Sequence, residues 1–182
     1  MSFGEAEQLH PPTAGASGTL VIGYGNPLRG DDGAGPAVVQ RLEEMLPTQW
    51  ASNVSCVVSM QLTPEMSETM SHVRRVVFID ATVNLLPGEV MVNRVWARQE
   101  RQSLGHHMGP EQLLAMSQET FGACPEAWVV SIGVEKMDMG EVLSPDVTSA
   151  VERLAGHLRY WIGRWTEQDV AGEVSVDVAG AV

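Results

Sequence analysis

Five side chains in this sequence are of types that do chemistry at close range, and three short segments carry them. Asp31 and Asp32 stand side by side in a glycine-rich stretch, residues 23–35. Asp80 closes the apolar run Val76-Val77-Phe78-Ile79. His106 and His107 are neighbours in a polar stretch, residues 98–109. Two carboxylates and one imidazole with open positions suit a borderline divalent ion such as zinc or nickel. A carboxylate held beside such a centre can also serve as a general base. An ordinary structural reading is available too. Asp31 or Asp32 would cap the next helix, Asp80 would accept loop N–H bonds, and the histidines would lie on a surface loop. Residue types alone leave both readings open. The other histidines, His10, His72 and His157, fall in a terminal segment, at a helix end and beside a helix seam, and carry no such pattern.

The glycine stretch invites three other chemistries, and each lacks a required residue. Gly23-x-Gly25 begins like a dinucleotide fingerprint, but Leu28 stands where the third glycine belongs, and no acidic residue ends the next strand-like run, Val57-Val58-Ser59-Met60. The spacing from Gly25 to Gly30 imitates a phosphate loop, but Asp31 replaces the lysine, and a carboxylate there repels phosphate. No serine is framed by glycines in the manner of a nucleophile elbow. Five of the thirteen residues in 23–35 are glycine, so this backbone can take positive φ and let another chain come close.

The elements around these segments decide whether the side chains meet. Residues 19–22 form a short β-branched run, as in a buried strand. A helix follows with Val38, Val39, Leu42, Met45 and Leu46 on one stripe; it starts either at an Asp31 or Asp32 cap or with Pro36 as its first residue. Residues 53–59 read as a second strand. Thr63-Pro64-Glu65 opens a second helix, with Thr63 as its cap and Met66, Met70 and Val73 inward. Residues 75–79 read as a third strand ended by Asp80, and the alternating residues 89–96 as a fourth. The link between these two strands is too short for a parallel crossover, so the fourth strand is expected antiparallel and at an edge. Pro110 starts a third helix, residues 128–132 form a fifth strand, and Ser144-Pro145 starts the last helix. There Val147, Val151, Leu154, Leu158, Trp161 and Trp165 make a long apolar seam, expected to face the core.

This alternation predicts an α/β fold: a single-domain three-layer sandwich with a mostly parallel, five-stranded twisted sheet and helices on both faces. The domain is expected over residues 18–166, with flexible tails at 1–17 and 167–182. Ligands in such sheets bind beyond the carboxyl ends of the strands at a switch point. Strand order 2-1-3 would bring the Asp31-Asp32 turn and Asp80 to one crevice.

Composition narrows the partners. The 182 residues include 44% hydrophobic residues and carry a net charge of −12, with a pI near 4.7. That charge repels a phosphate backbone, so nucleic acid is excluded as a partner. No run of 18 apolar residues exists, which argues against a membrane span. The first 18 residues have neither a basic start nor an apolar stretch, so no secretory signal is read there, and a cytoplasmic location is expected. Cys56 and Cys124 form no spaced motif and are expected as reduced, inert packing residues.

The motif Gly23-x-Gly25-Asn26-x-Leu28-x-x-Asp31-Asp32-Gly33-x-Gly35 resembles the opening motif of the [NiFe]-hydrogenase maturation endopeptidases. Three more segments agree in order: Gln61-Leu62-Thr63-Pro64-Glu65, found in part of that family; Phe78-Ile79-Asp80-Ala81; and the histidine segment with His106, Gly109 and Leu114. The resemblance implies an endopeptidase that removes a C-terminal extension from a hydrogenase large-subunit precursor after nickel insertion, with the nickel as recognition element. It implies Asp32, Asp80 and His106 as metal ligands and Asp32 and Asp80 as catalytic residues. His106 is preferred to His107 because it keeps the family offset to Gly109 and Leu114. Gly25, Asn26, Asp31 and His107 are the expected substrate-binding residues, Asp31 also shaping the turn or capping the helix. Nickel is expected to arrive with the substrate, zinc or another divalent ion being able to substitute, and no nucleotide cofactor is expected. The protein itself is expected as a monomer. Two alternatives stay beside this reading: a non-catalytic carrier or chaperone that reads the nickel site without cutting, and a small-molecule α/β enzyme binding a nucleotide at the same crevice.

Overall fold

A computed structural model describes residues 17–98, 108–135 and 137–171. The apolar runs become five strands: β1 (Thr19–Tyr24), β2 (Val54–Ser59), β3 (Arg75–Thr82), β4 (Val90–Val95) and β5 (Glu126–Gly133). They form one sheet in the order β2-β1-β3-β5-β4. The first four in that order run parallel, and β4 lies antiparallel to β5 at the edge. The antiparallel edge strand is as expected. Its partner is β5, which returns after a helix and inserts between β3 and β4.

Four helices cover the two faces: α1 (Ala34–Met45), α2 (Met66–Ser71), α3 (Pro110–Phe121) and α4 (Pro145–Ala171). Alternate residues of each strand point to opposite faces. Val21, Val77, Ile79, Trp128 and Val130 therefore pack with α1 and α4 in one core. Leu20, Ile22, Val76, Phe78 and Ala127 pack with α2 and α3 in the other. The expected three-layer sandwich is thus present. The α4 seam faces the core as its spacing predicts, with Trp161 and Trp165 both buried.

Three boundaries differ from expectation. No side chain caps α1, and Pro36 is its third residue; a 3-10 turn, Gly30–Gly33, leads into it instead. The Asp31 and Asp32 carboxylates are engaged elsewhere and are not free to cap. The helix α2 begins at Met66, and Thr63 enters it through its carbonyl, which accepts the Met66 N–H (3.1 Å). The last helix runs to Ala171 rather than ending at residue 166. Its added turn carries Asp169, which pairs with Arg74 (3.0 Å) and with the fully buried Arg75 (2.8 Å). An ion pair is invisible to an apolar periodicity, so the hydrophobic pattern stops a turn early. The remainder of both expected tails, residues 1–16 and 172–182, lies outside the described residues.

Candidate active site

The site is built from the carboxyl ends of β1 and β3, which the parallel order makes neighbours. Gly23 aligns with Ile79, so Tyr24 and Asp80 stand one step further along and project from the same face, the α2–α3 side. Asp80 lies within β3, two residues before its end, rather than closing the strand. Its Oδ1 accepts the Ala81 N–H (2.8 Å), and Tyr24 lines the same crevice beside it.

The glycine turn brings Asp32 to the same place. Gly25 leaves β1 with φ +136°, a conformation side chains resist, and a Cβ there would overlap the Asp32 carbonyl oxygen. The turn is then closed from within. The Asn26 N–H donates to Asp32 Oδ2 (3.1 Å), and the Leu28 N–H donates to Asn26 Oδ1 (3.0 Å). At its far side the turn bridges to the loop after β5, where the Gly140 N–H donates to the Leu28 carbonyl (3.0 Å). Where α1 crosses the strands, a Cβ on Gly35 would overlap the Ile79 carbonyl oxygen. Small residues on both sides of the turn therefore let the Asp32 backbone sit close over β1 and β3.

Asp32 and Asp80 line one crevice of about 570 Å3, together with Tyr24 and Gly25. One wall is the segment between β2 and α2, residues 60–64; the other is Met108 and Gly109, just before α3. The electrostatics follow from this placement. Burial pushes the Asp80 carboxyl up to about 6, and the charge of Asp32 adds to the rise; the Tyr24 and Ala81 donors oppose it. Burial and the Asp80 carboxylate push the Tyr24 phenol up in turn, so it remains a neutral donor. Burial is the main reason the Asp80 carboxyl resists ionisation, and a cation at the crevice would favour its charged form. Asp32 and Asp80 are two oxygen donors of the type that divalent ions take, both lining the crevice.

No protein-family model matches the chain, and no curated protein matches it. Solved structures do match. A [NiFe] hydrogenase maturation protease, HycI, from Thermococcus kodakarensis KOD1 aligns at 21% identity with TM-score 0.64, covering 81% of this chain and 93% of that one. The hydrogenase maturating endopeptidase HybD from E. coli aligns at 23% identity with TM-score 0.63, covering 78% and 89%. A hydrogenase 2 maturation peptidase from a Thaumarchaeota archaeon aligns at 25% identity with TM-score 0.59, covering 81% and 99%. The fold is that of the hydrogenase maturation proteases.

Within that fold the expected residues divide. Asp32, Asp80 and Gly25 come together at the crevice, and Asn26 holds Asp32 through its backbone N–H. Asp31 does not join them. It is buried, and its Oδ1 accepts the Ser144 N–H (2.6 Å) at the start of α4. Of the roles expected for it, the structure bears out the shaping of the turn, since it ties the glycine turn to the loop after β5. The physical reason is the 3-10 turn, which sends adjacent side chains in different directions. His106 and His107 lie outside the described residues; the next two positions, Met108 and Gly109, line the crevice. Among the described residues no group of three His, Cys, Asp or Glu side chains is placed to hold a metal ion.

Sequence reasoning missed Tyr24 as a site residue. It was only a filler position in the glycine motif, and its partnership with Asp80 depends on β1–β3 register. The wall at residues 60–64 was visible only through the family resemblance of Gln61 to Glu65, which says nothing of where the segment lies.

Proposed function

We propose that this protein is an endopeptidase that removes a C-terminal extension from a [NiFe]-hydrogenase large-subunit precursor after nickel insertion. The observation that carries the reading is the meeting of Asp32 and Asp80 at one crevice, in the fold of the maturation proteases. In this reading the precursor brings its own nickel, and Asp32, Asp80 and His106 recognise it. The nickel supplies positioning and polarisation of the scissile carbonyl.

The chain's own groups do the rest. The glycine turn leaves room for a chain terminus to approach Asp32. Whichever carboxylate the nickel leaves free, Asp32 or Asp80, accepts a proton from the attacking water. The water oxygen bonds to the scissile carbonyl carbon, the peptide C–N bond breaks, and the proton passes to the leaving amine.

The test is incubation of the purified protein with nickel-loaded and nickel-free precursor, followed by intact mass measurement. Loss of the C-terminal mass only from the nickel-loaded precursor is the expected result. A nickel-dependent complex with no mass loss would instead identify a carrier or chaperone. No complex and no cleavage would sink both readings.

A further inference from the structure

We propose that the open edge of β2 docks the precursor's C-terminal extension, which pairs along it as an added antiparallel strand; this rests on the maturation reading of the crevice. β2 is the outermost strand on its side of the sheet and pairs only with β1. The Thr19 N–H donates to the Asn53 carbonyl (2.8 Å), and the Gly25 N–H donates to the Ser59 carbonyl (3.1 Å). Bonds of a parallel ladder recur at every second residue. The main chain of residues 53, 55, 57 and 59 therefore faces β1, and the N–H and C=O groups of Cys56 and Val58 point to the open side. Among the described residues no loop or helix hydrogen-bonds to those groups. Ser55 and Val58 are exposed.

Folded proteins protect such an edge with charged side chains, proline or a bulge. Residues 54–63 hold no charged side chain and no proline, whereas the opposite edge strand, β4, carries Arg94. The unprotected edge also leads directly to the site. Gly25, bonded to Ser59, lines the crevice, and residues 60–64 form one of its walls. At that junction Val58 and Met60 are left 45% and 63% exposed. A chain cut at the crevice continues away from it on its C-terminal side. To follow β2 it must run from Ser59 towards Val54, against the direction of the strand. Main-chain bonds then supply affinity, and the side chains beside them supply selection. Val58 and Met60 select an uncharged, extended segment next to the cut.

The test uses the full, isotope-labelled chain and a synthetic peptide carrying the precursor's extension, with amide hydrogen exchange followed by NMR. Without peptide, the Cys56 and Val58 amides are expected to exchange fast and the Ser55, Val57 and Ser59 amides slowly. Saturating peptide is expected to slow Cys56 and Val58 about tenfold or more. Unchanged exchange at both would overturn the proposal. Slow exchange at both before peptide is added would overturn it too: the occupant is a second copy if light scattering gives a dimer, and the chain's own terminal residues if it gives a monomer. Val58→Pro removes the outward N–H and leaves the β1 ladder intact. It is expected to raise KM for the nickel-loaded precursor about three- to tenfold, and an unchanged KM would count against docking. If Val58→Pro does not fold, the exchange measurement decides. Wild-type cleavage is read separately. A chain that cuts the precursor but shows no protection fails the docking proposal alone, and a chain that never cuts fails the maturation reading.

Discussion

At Asp80 a single carboxyl group carries both the site's electrostatic tension and a measurable signature. Its pKa lies at about 6, raised first by burial. In an unfolded chain the same group would titrate near about 4. The folded state therefore holds a proton that the unfolded state has already released, and stability falls as pH rises from the unfolded value through the folded one. For metal-free protein the contribution is on the order of 2 kcal/mol, after discounting for partial solvent screening. Urea midpoints of wild-type and Asp80→Asn protein at pH 4.5 and pH 7 test this. The wild type is expected to lose stability over that interval relative to the variant. Parallel pH dependences would reject the buried, repelled carboxyl. At the same scale, His106→Ala is expected to impair precursor processing more than His107→Ala. The reverse ranking, read by mass spectrometry, would show that the register assigned through the histidine segment is wrong. The two cysteines pose no competing chemistry: burial pushes Cys56 up to about 12 and raises Cys124 as well, so both thiols stay protonated.

The glycine turn is the element on which the site depends, because it positions Asp32 by backbone contact. At Gly25 positive φ and close approach coincide, so Gly25→Ala combines conformational strain with overlap onto the Asp32 carbonyl. A loss of about 2–4 kcal/mol is expected, from these two named causes together. Gly35→Ala meets a different obstacle, the Ile79 carbonyl and the Tyr24 carbonyl oxygen at 2.7 Å, and should push α1 off β1 and β3. Both variants should lower processing along with stability, as read by chemical denaturation beside the cleavage assay. Wild-type stability and activity in Gly25→Ala would mean that the turn is not built this way.

Across the whole molecule, the end of the sheet opposite the crevice is held by α4. Trp165 stacks on Trp128 at 5.1 Å, Arg75 lies over Trp165 at 5.4 Å, and Arg94 lies over Trp128 at 5.6 Å. Asp169 closes this arrangement by pairing with the buried Arg75. Removing one partner of a buried ion pair strands the other charge, at a cost of about 3–5 kcal/mol. Asp169→Ala, and truncation after residue 166, should both be destabilised to that degree in thermal or urea unfolding. Wild-type stability in the truncated chain would show that residues 167–171 behave as a tail after all. Among the described residues no helix is long and apolar enough to cross a membrane.

Much of this fold was legible in the sequence because apolar spacing is a local property. The runs at Val76 to Ile79 and Thr19 to Ile22, and the seam from Val147 to Trp165, each state their period without reference to the rest of the chain. The crossover argument placed the fourth strand antiparallel, as it is in the sheet. Asp32 and Asp80 could be expected to meet on condition of a 2-1-3 strand order, and the sheet has that order. Other features depended on atoms far apart in sequence. Asp31 turns to the Ser144 N–H, 113 positions away, so its type and its neighbour Asp32 could not tell the two aspartates apart. Asp169 extends α4 because Arg74 and Arg75 sit beneath it. Tyr24 stands beside Asp80 because Gly23 pairs with Ile79. Sequence alone determined which faces are apolar and which residues are fit for chemistry. Tertiary structure decided which polar side chains face one another, because hydrogen bonds and ion pairs depend on register and distance rather than on period.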